Sequence, residues 1–236
     1  MKTPEEMAAY FKAMPSKKKE NPYWKFSETG NDNENRILVS YNDCPFDDQM
    51  LVLSGYTLRK IREFFRRYYE SFHSEAQVLC VDIMDEDKLQ EKGIPILTEG
   101  CIGPYDIAVM VLPQDNHGAT SNISDWFWQT HIVDAGIVPI ARIHSHHVLT
   151  PYQSITDYST LNSGTLEMVL GQIFDDGLHV CYWLDVPGTD IKAQTFVAHE
   201  YEADEFIWGR RRFNGPDAQS VAVYSHWDEA SCPDEI

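Results

Sequence analysis

The residues with the clearest capacity for chemistry are His144 and His146, separated by Ser145 and followed by Ser154 and Asp157. Residues at i and i+2 of an extended strand project to the same side, so this spacing sets two imidazoles next to each other. Asp157 lies eleven residues beyond His146, far enough along the chain to fold back as a third donor. Two imidazoles and one carboxylate, with a fourth position left open, is a common build for a catalytic zinc site. The imidazole-plus-carboxylate set favours zinc among divalent ions, and the expected cofactor is one catalytic Zn2+. Such a site also needs a general base and a path for substrate.

The elements that must position these groups can be read from periodicity. Residues 137–143 form an apolar run of strand type that delivers His144 at its end. A helix is expected before it over 123–134, with Trp126, Phe127, Thr130 and Val133 inward and Gly136 as its stop. The clearest helix spans 57–72, where Leu58, Ile61, Phe65, Tyr68 and Phe72 repeat at helical spacing. Its basic residues, Arg59, Lys60, Arg62, Arg66 and Arg67, fall on the other faces and read as a solvated surface. After His73 and Ser74, Glu75 leads directly into a buried-type strand over 78–81. Further strands are expected at 37–41, 50–54, 107–112, 178–184 and 194–199. Residues 85–104 read as an insertion or long loop, 113–122 as a loop, and 165–174 as a helix. Alternating strands and helices predict an α/β fold, a three-layer domain around a mixed β-sheet flanked by helices.

Composition excludes several classes of function. The 236 residues carry 37 acidic against 19 basic side chains, a formal net charge of −18. That field disfavours nucleic acid and anionic membranes as partners. The five cysteines are widely spaced and never form C-x-x-C, the usage of a reduced, intracellular chain. No apolar run reaches membrane-spanning length, and the first residues are too acidic for a signal peptide, so a cytoplasmic protein is expected. Residues 1–35 read as an N-terminal arm, with a helix over 4–14 and a linker-like stretch over 27–35. Residues 36–200 form the main domain. Residues 201–236 form an extension with an acidic tail from Asp228 onward.

The pattern H-S-H-x7-S-x2-D resembles the signature of the JAMM (MPN+) metalloproteases, zinc isopeptidases that remove ubiquitin and ubiquitin-like proteins. The likeness extends over roughly residues 50–185, where a strand, a long helix, a glutamate opening the next strand and a helix before the histidine strand follow the family's order. The resemblance implies an MPN-like (cytidine-deaminase-like) fold and zinc ligation by His144, His146 and Asp157. It implies that Glu75 takes a proton from the attacking water and passes it to the leaving amine, and that Ser154 donates to the oxyanion. The substrate it implies is a protein, cleaved at the C-terminus of a ubiquitin-like partner. The chemistry is consistent with these roles: zinc acidifies water, a neighbouring carboxylate completes its deprotonation, and a hydroxyl stabilises a tetrahedral oxyanion. Ser145, between the ligands, should point away from the metal.

Glu99 and Asp106 also precede the histidines at plausible intervals, and Asp106 likewise opens an apolar strand. They stand beside Glu75 as candidates for the base. The chain departs from the family at two positions. His147 replaces the proline usual after the second ligand, and Ile143 replaces an aromatic residue before the first. Strand alternation predicts that His147 points outward, away from the metal. Residues 158–178 contain no Cys or His, so a second zinc site there is not expected. Two classes of function follow: a zinc hydrolase acting on a peptide or isopeptide bond, or a non-catalytic scaffold of the same fold. Scaffold members typically lose ligands, and this chain keeps the whole set.

Overall fold

The strand that carries the two histidines lies in the middle of a mixed sheet. The structure, a computed structural model, describes residues 21–28, 37–41, 50–154, 157, 165–175, 178–184, 194–198 and 220–224. The helix expected at 4–14, the stretch 29–35 and the acidic tail lie outside the described residues.

In chain order the strands are β1 (Trp24–Glu28), β2 (Ile37–Tyr41), β3 (Met50–Ser54), β4 (Gln77–Asp82), β5 (Ile96–Ile102), β6 (Tyr105–Met110), β7 (Asp115–Asn116), β8 (Ser121–Asn122), β9 (Ala141–Ser145), β10 (Leu166–Gly171), β11 (Leu178–Leu184), β12 (Gln194–Ala198) and β13 (Ser220–Tyr224). Among the described residues the main sheet runs β12-β11-β10-β9-β4-β6-β5-β3-β13, and six of these strands, β11 to β5, form its centre. β9 and β10 are parallel, as are β3 and β13, and the other neighbours are antiparallel. The fold is α/β with a mixed sheet.

Helix α1 (Gly55–Phe72) covers one face. Its stripe Leu58, Ile61 and Phe65 is fully buried against Val78 and Cys80 of β4, Val109 of β6, Ile143 of β9 and Met168 of β10. Burying each of these three side chains contributes about 2 kcal/mol. The stripe ends earlier than its periodicity suggests: Tyr68 is half-buried and Phe72 is exposed. His73 then adopts a left-handed conformation (φ 51°), its N–H donating to the Tyr69 carbonyl at 2.8 Å, and stops the helix. The other face is covered by α2 (Glu86–Gln90) and α3 (Asp125–Trp128), whose neighbourhoods supply Leu89 and Ile132 against Leu79, Val81, Ala108 and Met110.

Three expectations are corrected here. Residues 165–174 are not a helix: 166–171 form the parallel strand β10. Leu166, Val169, Leu170 and Ile173 match helical spacing, but every residue of β10 is buried, so no alternation marks it as a strand. Residues 85–104 are not a loop, because they hold α2 and β5, which pairs with β6 as a hairpin turning at Gly103. The helix before β9 changes to a π-type turn over Gln129–Val133, closed by the Asp134 N–H on the Gln129 carbonyl at 2.8 Å. Of the residues expected inward, Phe127 and Thr130 are half-buried and Trp126 is exposed; past the wider turn Ile132 is buried in place of Val133, which is exposed.

Part of the segment read as an arm belongs to this core. β1 pairs with β2, and Trp24 is buried with its indole N–H donating to the Ile140 carbonyl at 2.6 Å. Tyr23 donates to Asp82 at 3.1 Å and packs edge-on against Tyr105. Among the described residues no helix is long and apolar enough to cross a membrane.

Candidate metal centre

Strand pairing assembles the candidate site. Arg142 and His144 share one face of β9, while Ile143 and Ser145 take the other. β4 runs antiparallel beside it with Gln77 opposite His144, and two further residues in this register set Glu75 opposite His146. Ser145 does point away from the histidines, as expected. Its hydroxyl accepts from the Ala76 N–H at 3.2 Å, and its own N–H donates to the Ala76 carbonyl at 3.0 Å, which fastens the chain next to Glu75 onto β9. The His146 N–H donates to the Leu170 carbonyl at 2.8 Å and extends the pairing with β10 past the strand end.

The loop after His146 must then bring Asp157 back. It turns at once: His147 is left-handed (φ 39°), and the Leu149 N–H closes on the His146 carbonyl at 2.8 Å. The N–H groups of Gln172 and Ile173 bind the carbonyls of Leu149 and His147, each at 2.8 Å, so the loop is laced to the end of β10. A side chain at Gly171 would not permit this, since a Cβ there would lie 2.4 Å from both the Leu149 carbonyl oxygen and the Pro151 nitrogen. Ser154 and Asp157 next bind each other reciprocally. The Ser154 N–H donates to Asp157 Oδ2 at 2.7 Å, and the Asp157 N–H donates to Ser154 Oγ at 3.2 Å. This is the exchange of a capping box. It orients the carboxylate, and because a hydroxyl can accept and donate together, it leaves the Ser154 O–H able to donate elsewhere.

His144, His146 and Asp157 thereby come together, with one donor atom from each lying within 4.8 Å of the others, and this group could hold a metal ion. His144 Nε2 lies 3.3 Å from Asp157 Oδ1, and His146 Nε2 lies 3.9 Å from Asp157 Oδ2. Burial of the His144 ring lowers its pKa to about 4, with His146 and Arg142 adding to the effect against the pull of Asp157. Burial likewise lowers that of His146, again against Asp157. Both rings are therefore neutral at physiological pH, the form that ligates metals. His144 Nε2 is buried without a hydrogen-bond partner. A buried nitrogen facing a carboxylate oxygen at 3.3 Å without a hydrogen bond between them is an arrangement a cation would stabilise. The residues present fit a divalent ion.

Of the three candidate carboxylates, only Glu75 is brought to this group. It is buried, its N–H donates to the Gly118 carbonyl at 2.8 Å, and burial together with the Asp157 charge pushes its pKa up to about 7. Glu99 and Asp106 sit exposed on the β5–β6 hairpin, where the Glu99 carbonyl accepts from Thr57.

His147 does not point outward. The left-handed backbone at this residue breaks strand alternation and turns its ring inward, where it is buried with Nε2 3.9 Å from Glu75 Oε1. Residues that sequence reasoning passed over also build the site. Gln114 accepts from the Gln77 N–H at 2.8 Å and donates to the Gln77 carbonyl at 3.0 Å, standing in for a neighbouring strand where β6 has ended. Gly118 receives Glu75 and donates its own N–H to Ser74 Oγ at 3.1 Å. The Ser-x-x-Asp capping box was readable in the sequence, whereas the contacts of Gln114, Gly118 and Gly171 depend on segments distant in the chain. Exposed Val148, Leu149 and Tyr152 form an apolar rim, with the Tyr152 ring 4.7 Å from that of His146. No protein-family model matches this chain, and no curated protein matches it.

Proposed function

We propose that this chain is a zinc-dependent hydrolase of JAMM (MPN+) type that cleaves a peptide or isopeptide bond, with a ubiquitin-like protein as the substrate class. The observation that carries the reading is the buried pair of His144 Nε2 and Asp157 Oδ1, 3.3 Å apart with no hydrogen bond between them, with Glu75 drawn beside them by the β4–β9 register. The H-S-H-x7-S-x2-D resemblance supports the same reading from the sequence side.

A zinc ion held by His144, His146 and Asp157 would supply Lewis-acid polarisation and a lowered pKa for water. Glu75 is the base in this proposal. In its ionised form it accepts a proton from the attacking water and later gives it to the leaving nitrogen. Ser154 donates its hydroxyl proton to the oxygen of the scissile carbonyl as negative charge develops there. The Ser154 N–H orients the Asp157 carboxylate, which would be one of the ligands of that ion.

The test is cleavage of a ubiquitin-like fusion and an isopeptide-linked peptide panel by zinc-loaded wild type and Glu75→Gln. Turnover by wild type and a loss of at least about a hundredfold in the variant are expected. Stoichiometric zinc with no cleavage of any member of the panel would instead favour a scaffold that retains the site without turnover.

A further inference from the structure

Among the basic residues of α1, Arg67 keeps to the solvated surface that the sequence suggests, exposed and paired with Glu63 at 2.7 Å. Arg66 does not. It follows the buried Phe65 at the edge of the apolar stripe, is half-buried, and turns its guanidinium toward the chain that leaves β10. Its Nε donates to the Ile173 carbonyl and its Nη2 to that of Asp175 at 3.1 Å, so one edge of the planar fork spans the turn between them. The Phe174 ring, between these two residues, lies 5.8 Å from the guanidinium and 5.9 Å from the ring of Tyr69, also of α1. The turn is left-handed at Gln172 (φ 47°) and closed by the Asp175 N–H on the Gln172 carbonyl at 2.9 Å.

What this turn holds is the loop of the metal centre. The Gln172 N–H donates to the Leu149 carbonyl and the Ile173 N–H to that of His147, each at 2.8 Å. The stretch from His147 to Ser154 has no helix or strand of its own, so its place is set by the groups it is bonded to. Helix α1, in contrast, is anchored in the core by Leu58, Ile61 and Phe65. We propose that Arg66 is a positioning residue for the metal centre: by clamping the Gln172–Asp175 turn to α1, it fixes the loop that returns Asp157 to His144 and His146. This inference rests on the metal-binding part of the hydrolase reading and needs no turnover.

Three variants separate the clamp from packing and from charge. Arg66→Met keeps an unbranched stem beside Phe174 and removes both donors. Arg66→Lys, the gentler change, keeps the charge but lacks the fork that serves two carbonyls at once. Arg67→Met removes a charge from the same surface without touching the turn. Hydrogen exchange of the metal-free proteins and zinc affinity by chelator competition are both measured far below the unfolding temperature. Arg66→Met should speed exchange of the Gln172 and Ile173 amides by at least about tenfold, leave the amides of β4 at wild-type rates, and weaken zinc binding by about tenfold. Arg66→Lys should fall between, and Arg67→Met should match wild type. Wild-type values in both readouts for either Arg66 variant, unchanged zinc affinity in Arg66→Met, equal acceleration in β4, or equal losses in Arg67→Met would overturn the proposal. A wild type that binds no zinc would sink the metal centre and this proposal with it. The expected losses in a chain that binds zinc but cleaves no substrate would support the proposal and remove only the hydrolase reading.

Discussion

The charge on Glu75 should make the metal-free protein less stable at the pH where it would work. Burial first, and the Asp157 charge second, move its carboxyl from an ordinary 4.5 to about 7 in the folded chain. For an acid whose folded pKa is raised, no cost is present below the unfolded value; the cost grows as pH rises from 4.5 and is complete above about 7. A displacement of this size corresponds to roughly 3 kcal/mol at about 1.36 kcal/mol per pKa unit. Water at the mouth of the site screens part of it, leaving about 1–2 kcal/mol. Glu75→Gln keeps the shape and removes the charge. Urea unfolding of chelator-dialysed protein should therefore give equal stabilities for wild type and variant near pH 4.5 and a more stable variant, by about 1–2 kcal/mol, at pH 8. Asp157→Asn, which removes the second cause only, should shift the Glu75 titration downward without restoring it to 4.5. Saturating zinc should shrink the gap at pH 8, because a divalent cation favours the carboxylate. Equal stabilities at pH 8, or a variant less stable there, would refute the placement of Glu75 in a buried site beside Asp157.

Other outcomes follow from particular contacts. Gly171→Ala should destabilise the fold by roughly 1–3 kcal/mol and weaken zinc binding, since the new Cβ displaces the Leu149–Pro151 segment that returns Asp157; unfolding and zinc titration together check this. Ser154→Ala should cost about 1 kcal/mol through loss of the cap and lower kcat by about 100–1,000-fold, two effects separable by denaturation and kinetics. Half-buried Arg142, on the face of β9 that carries His144, pairs with buried Glu167 of β10 at 2.8 Å. Arg142→Met should cost about 3–5 kcal/mol, and adding Glu167→Leu should recover much of that in a double-mutant cycle.

Much of the site was legible because its signals are local. His144 and His146 share a face through strand alternation, Asp157 follows at a fixed offset, and Glu75 is marked by its place between a strongly periodic helix and an apolar strand. The choice of Glu75 over Glu99 and Asp106 depends on which strand pairs with β9, a long-range fact that periodicity does not encode. β10 was misread because a strand buried on both faces loses the alternation that distinguishes it from a short buried helix. His147 was misread for the opposite reason, since alternation was assumed to continue through a residue whose backbone is left-handed. The helix before β9 was recognised with Phe127 on its core side, but Ile132 and not Val133 is buried, because a π-type turn shifts the phase of the residues that follow it.

Zinc content after exhaustive dialysis tests the metal centre most directly. Wild type should retain one zinc ion per chain, and His146→Ala and Asp157→Asn should retain none while remaining folded, with affinity reduced by more than about a hundredfold. A wild-type chain that binds no divalent ion, or variants that bind it as tightly as wild type, would contradict the account.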